Sequence, residues 1–160
     1  MSRKGQSKPR IVTPDSVYNS VTVSKIINYC MLHGKKTPAT KEVYEAIDIL
    51  KKETKSDDVI VTLEQALDNI KPKVEVRPRR IGGAVYQVPT AVRGNRQSSL
   101  AIRWLITASR ALPNKQYHSF GKKIAVELIA ALKNEGASIT KRAEVERMAE
   151  ANKAFAHLRW

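Results

Sequence analysis

The sequence predicts a mainly α protein: six helices in one domain, interrupted between the third and the fourth by a protruding two-stranded β-ribbon. Three observations predict it. Apolar residues recur at helical spacing along nearly all of the 160 residues. Only from about residue 73 to 89 does the period fall to two, around the Gly82-Gly83 pair. The composition, 42% hydrophobic and 28% charged, is that of a globular chain long enough to bury a core.

Residues 13–160 read as that single domain, and residues 1–12 as a flexible basic arm that orders on a partner. The arm carries Arg3, Lys4, Lys8 and Arg10 without one acid. In the first helix Val23, Ile26, Ile27, Cys30 and Met31 share a face, and Gly34 is expected to stop it. Thr37 and Pro38 then look like an N-cap followed by a proline at the first helical position. The second helix turns Val43, Ile47 and Leu50 inward. Ser56-Asp57 should start the third, which buries Val59, Ile60, Leu63, Ala66, Leu67 and Ile70 and ends at Lys71-Pro72.

In the ribbon, Val74 and Val76 alternate with Glu75 and Arg77, and Tyr86 and Val88 with Val85 and Gln87. Gly82 and Gly83 supply the positive φ values of a hairpin turn. Pro78 and Pro89 rule out a central strand but suit a ribbon, where every strand is an edge. Such a hairpin is marginal alone, so it should lean on the helices at its base.

The fourth helix places Ala101, Trp104, Leu105 and Ala108 together and ends by Leu112-Pro113. The fifth groups Tyr117, Phe120, Ile124, Leu128 and Ala131 and stops at Asn134-Glu135-Gly136. The sixth runs from about Thr140 to Phe155, with Val145, Met148, Ala149 and Phe155 as its stripe.

The chain has 29 Lys and Arg against 15 Asp and Glu, a net charge of +14. That surplus opposes folding, so a polyanionic partner is expected, either nucleic acid or an anionic membrane. No apolar run approaches the ~20 residues that span a bilayer. The basic start has no apolar segment behind it, so no secretory signal is read there. A lone cysteine, Cys30, excludes an internal disulfide and a cysteine-based zinc site and suits a reducing compartment.

The charge is concentrated. Residues 71–123 hold twelve basic residues, Lys71, Lys73, Arg77, Arg79, Arg80, Arg93, Arg96, Arg103, Arg110, Lys115, Lys122 and Lys123, against one acid, Glu75. A solubilising surface would intersperse the signs; this distribution makes one face, the footprint of phosphate-backbone binding. Isolated cations such as Lys51 and Lys133 are read as solvated surface charges. Arg77, Arg79 and Arg80 crowd one thin arm and repel unless something neutralises them. Tyr86 can stack on a base, although packing against the neighbouring strand is its commoner role.

Catalysis finds no support. HGKKT (33–37) lacks the distal glycine and the Ser or Thr of a phosphate loop, although Lys35 and Lys36 can still meet phosphate at a helix start. His33, His118 and His157 are scattered, and neither cofactor nor metal is expected. Glu146 can pair with Arg142 on one helix face.

Three blocks, VEVRPRRIGGAVYQVP (74–89), LAIRWL (100–105) and RMAEANKAFAHLRW (147–160), occur together with GKK (34–36) and TPDSVYNS (13–20). From about residue 10 to the end they resemble the bacterial-type family of ribosomal protein seven of the small subunit. The resemblance implies a six-helix bundle with a β-ribbon between its third and fourth helices. It implies a primary binder of small-subunit ribosomal RNA that nucleates assembly of the head on the 3′ major domain. Neighbouring head and platform proteins, exit-site tRNA and mRNA are the implied further partners. A membrane partner and a homo-oligomer are not expected, and the location is the ribosome of a bacterium or an organelle.

Carried over by position, Arg77, Arg79, Arg80 and Gly82-Gly83 face the exit-site region. The basic arm (Arg3, Lys4, Lys8, Arg10), Lys35, Lys36, Arg93, Arg96, Arg103, Lys141 and Arg142 face ribosomal RNA. Lys73, Arg110, Lys115 and Arg159 complete the set, and Lys122 and Lys123 join it on charge alone because 112–132 is only loosely family-like. Glu146 stands where the family often has His. An architectural DNA-binding protein with a β-arm is the alternative; it would need dimerisation and an apolar wedge, for which Ile81 is the only candidate. An RNA-modifying enzyme would need a convergent acid–base or metal set, which is not found.

Overall fold

The computed structural model describes residues 5, 11–55 and 58–158. Arg3, Lys4, Lys8, Arg10, Arg159 and the expected helix start at Ser56-Asp57 lie outside them. Among the described residues are six helices of ten residues or more: α1 (Val21–Cys30), α2 (Lys36–Thr54), α3 (Val59–Ile70), α4 (Gly94–Ala111), α6 (Phe120–Leu132) and α7 (Ala137–Ala151). A single turn, α5 (Asn114–Tyr117), precedes α6, and a 3₁₀ stretch (Lys153–Leu158) follows α7. Between α3 and α4 stand β1 (Val74–Ile81) and β2 (Ala84–Ala91).

The core forms where the apolar stripes meet. Ile26, Ile27, Ile47, Leu50, Leu63, Ile70, Ile102, Leu105, Ile124 and Leu128 are fully buried, drawn from α1, α2, α3, α4 and α6. Each such side chain contributes about 1.5–3 kcal/mol on burial. Helix α6 runs through the middle and packs on α2, α3, α4 and α7.

Several boundaries differ from the sequence reading, for local reasons. Helix α1 stops at Cys30 because Met31 turns extended (ψ 134°); His33 and Gly34, both with positive φ, form the next turn. Helix α2 starts at Lys36, so Pro38 is its third residue. Proline is tolerated there because first-turn N–H groups have no partner within the helix. Tyr117 belongs to α5, not to the α6 stripe, since His118 (φ 50°) and Ser119 break the helix between them. Helix α7 begins before Thr140 and yields to the 3₁₀ stretch before Phe155, leaving Met148 50% exposed instead of buried.

Polar contacts between elements fix the packing. Asp15, in TPDSVYNS, accepts the backbone N–H groups of Val17 and Tyr18 and the Tyr44 hydroxyl, and the Tyr18 and Tyr44 rings meet edge to face at 5.5 Å. That motif is therefore a turn clipped onto α2. The start of α6 is capped from α2: the Ser119 hydroxyl donates to Glu45 (2.6 Å) and Glu42 (3.1 Å), and the Gly121 N–H donates to Glu42. Glu127 accepts the N–H (2.8 Å) and hydroxyl (2.7 Å) of Ser138 at the first turn of α7, joining the two helices.

The strands are antiparallel, in register from Val74 opposite Ala91 to Ile81 opposite Ala84. Gly82 (φ 56°) and Gly83 (φ 88°) make the two-residue turn whose hand matches strand twist. Eight residues per strand at ~3.3 Å each give an arm of roughly 26 Å. The arm leans on α7 and on the 3₁₀ stretch. Tyr86, three pairs from the tip and opposite Arg79, also meets the Phe155 ring at 5.4 Å.

Candidate nucleic-acid interface

The foot of the ribbon inverts the expected alternation. Glu75 is buried at 7% exposure, whereas its neighbours Val74 and Val76 are only partly covered. Two cations make that burial possible. Arg77 donates from Nε to Glu75 Oε1 at 2.7 Å, and Arg96, at the start of α4, donates from Nε to both oxygens at 2.8 and 2.9 Å. Burial alone would raise the Glu75 carboxyl, but these bonds and charges outweigh it and hold the group below its ordinary range. The two guanidinium side chains remain about half exposed, at 48% and 50%, and Nε is one of five N–H donors on each.

A carboxyl depressed in the folded state adds stability that is complete above its unfolded value, about 4.3, and is lost as pH falls through the folded value. Acidification below about pH 4 should therefore loosen the ribbon foot. In Glu75→Gln that step should be absent from amide exchange of residues 74–91 between pH 6 and 3. An unchanged step in the variant would assign it to another carboxylate.

Strand pleat places Arg77 and Arg79 on the face of Glu75 and Arg80 on the opposite face with Val76 and Pro78. The three arginines thus do not form one cluster. Arg79 is partly covered and Arg80 exposed. Arg93, the residue before α4, and Arg103, on α4, are exposed, as are Lys35 and Lys36 at the start of α2, Lys73 before β1 and Lys115 on α5. Lys122 is exposed on α6 beside Glu45 and Asp48 of α2. Lys141 pairs with Glu144 at 2.9 Å, both half exposed, a surface bridge worth ~0–1 kcal/mol.

Three of the expected RNA contacts have work inside the protein. Lys123 is 4% exposed, and its ammonium donates to the Leu112 carbonyl and the Asn114 side chain, so it anchors α5 to α6. Arg142 donates to the Asn69 carbonyl at the end of α3 and stands 3.9 Å from Glu146, with its Nε buried. Arg110 is exposed but donates to the Cys30 carbonyl at 3.2 Å, complementing the C-terminal end of α1. Glu146 also accepts the Lys73 N–H at 3.1 Å, tying α7 to the start of the ribbon.

Two residues of this region were not singled out by sequence. Glu75 had a signal, as the sole acid among twelve cations in residues 71–123. Trp104 had none beyond its place on the apolar stripe; it packs against the core and also borders two cavities on α4. Among the described residues no group of three or more His, Cys, Asp and Glu could hold a metal ion, and no helix is long and apolar enough to cross a membrane.

Residues 2–153 match the family of ribosomal protein S7p/S5e. The chain belongs to that family. This S7p/S5e chain is similar at full length to the small ribosomal subunit protein uS7 of Dictyoglomus thermophilum, 51% identical over 163 residues with 100% of both chains covered. It is 49% identical over 160 residues to that of Stenotrophomonas maltophilia and 48% over 160 residues to that of Bifidobacterium longum subsp. infantis, again with both chains covered completely. The S7p/S5e chain is thus a structural, non-enzymatic protein of the small ribosomal subunit.

Proposed function

We propose that the protein is a primary binder of small-subunit ribosomal RNA that docks on the 3′ major domain and nucleates assembly of the head. The observation that carries this reading is the cationic coat of residues 71–123, where eleven of the twelve basic residues are at least partly exposed and the one acid is itself buried between two arginines. Arg80, Arg93, Arg96, Arg103, Lys115 and Lys35-Lys36 present exposed charge for phosphates, with planar guanidinium groups dominating on the ribbon and α4. The projecting ribbon is proposed to reach exit-site tRNA and mRNA, and its sides to meet neighbouring head and platform proteins.

Chemical footprinting of small-subunit RNA with the purified protein tests this. Protection confined to the 3′ major domain is expected. Protection elsewhere, or preference for duplex DNA, would overturn the reading and favour an architectural DNA-binding role. Replacing Arg79 and Arg80 with Ala leaves Arg77 on Glu75. It should keep helix content and the footprint, with affinity changed by about tenfold or less, while weakening crosslinks from the ribbon tip to tRNA or mRNA. Equal loss of both would mean that the ribbon is part of the primary RNA site.

A further inference from the structure

A cavity of about 500 Å³ lies where the foot of the ribbon meets α4 and α7. Leu100, Trp104, Val145 and Met148 give it apolar walls, and Glu75 and Gln87 add polar atoms from the ribbon. Its size suits a small-molecule-sized guest, ~300–1,000 Å³. Trp104 also borders a second cavity of about 210 Å³ with Thr107, Ala111 and Lys141, so the indole is not enclosed by protein. Beside the first cavity Glu75 holds Arg77 and Arg96 by Nε, one carboxylate for two guanidinium groups, leaving a net charge of one positive.

Flat apolar walls next to a single surplus positive charge match one chemical unit: an aromatic base joined to a singly charged phosphodiester. We infer that this cavity receives one unstacked nucleotide of the bound RNA, its base against Trp104 and Met148 and its phosphate on Arg77 and Arg96. This deepens the RNA-binding reading and rests on it. An apolar peptide would fill the walls and leave the charge unanswered. A phosphate alone would use the arginines and leave the walls wet. Base stacking on an aromatic platform tolerates any base, so the site fixes the position of a strand more than its sequence. Glu75, which lines the cavity, is then a positioning residue: it holds the two guanidinium groups by their Nε beside the cavity before the nucleotide arrives.

The test uses the full chain with Trp160→Phe, which leaves Trp104 as the only one of two tryptophans. Its emission is followed during titration with adenosine 5′-monophosphate, adenosine, ribose 5-phosphate or an acidic apolar peptide, and on binding the 3′ major domain RNA. Saturable quenching by the monophosphate is expected, none by ribose 5-phosphate, and quenching again in the RNA complex. Met148→Asp, at an exposed position, should keep the helical circular dichroism and weaken the monophosphate response by about tenfold. The inference is overturned if ribose 5-phosphate acts as well as the monophosphate, or if the acidic peptide alone saturates. It also falls if the RNA footprint forms while Trp104 emission stays unchanged. That last result leaves the proposed function standing, because the footprint is then present.

Discussion

Raising salt from 50 to 200 mM should lower affinity for the 3′ major domain RNA by about a thousandfold, with log K falling linearly against log salt. Each phosphate neutralised releases condensed counterions and adds ~0.9 to the slope on duplex and ~0.7 on single strand. About six contacts therefore give the stated drop. The exposed cations on the ribbon, on α4 and at the start of α2 are sufficient in number. Lys123 is the internal control. Its ammonium is bound to Leu112 and Asn114, so Lys123→Met should lower stability and leave the slope unchanged. Loss of about one unit of slope in that variant would return Lys123 to the RNA surface, and a flat salt response of the wild type would remove phosphate binding altogether.

Gly121→Val should destabilise the protein by about 3 kcal/mol or more, a large share of the roughly 5–15 kcal/mol that holds a domain together. A Cβ at this position would lie 2.6 Å from the Glu42 carbonyl oxygen and 2.9 Å from a Glu45 carboxylate oxygen. The first of these is backbone and cannot swing aside. Separating α2 from α6 would relieve the clash only by breaking the hydrogen bond from the Gly121 N–H to Glu42 and opening the central packing. At ~2–4 °C per kcal/mol, the thermal midpoint should fall by roughly 6–12 °C, measured by circular dichroism at 222 nm. A shift within about 1 °C would mean that the two helices do not need their close approach.

Periodicity carried most of the architecture, because burying an apolar stripe is what makes these helices form. The stripes of α1, α2, α3 and α4 were legible except that Met31 falls beyond α1 and Ile60 and Trp104 are only partly buried, and Gly82-Gly83 marked the turn of the ribbon. Pattern failed where polar groups do the packing. A two-residue alternation assigns Glu75 to solvent, since nothing local shows that Arg96, 21 residues later, will return to neutralise it. The same holds for Glu127, whose partner Ser138 heads another helix, and for Gly121, which reads as an ordinary weak spot in a helix until α2 lies against it. For the candidate binding surface, charge density singled out residues 71–123. It could not separate the arginines that face outward from Arg142, whose guanidinium bonds the end of α3.

The contact between Tyr86 and Phe155 has a bearing on biosynthesis. The helices from α1 to α6 contain most of what they need to condense while the polypeptide is still emerging, whereas the hairpin rests on α7 and on Phe155, 69 residues beyond Tyr86. Until α7 and Phe155 have been translated the arm lacks the surface it rests on. A nascent chain therefore fixes the heading of its arm after the helical body that carries it.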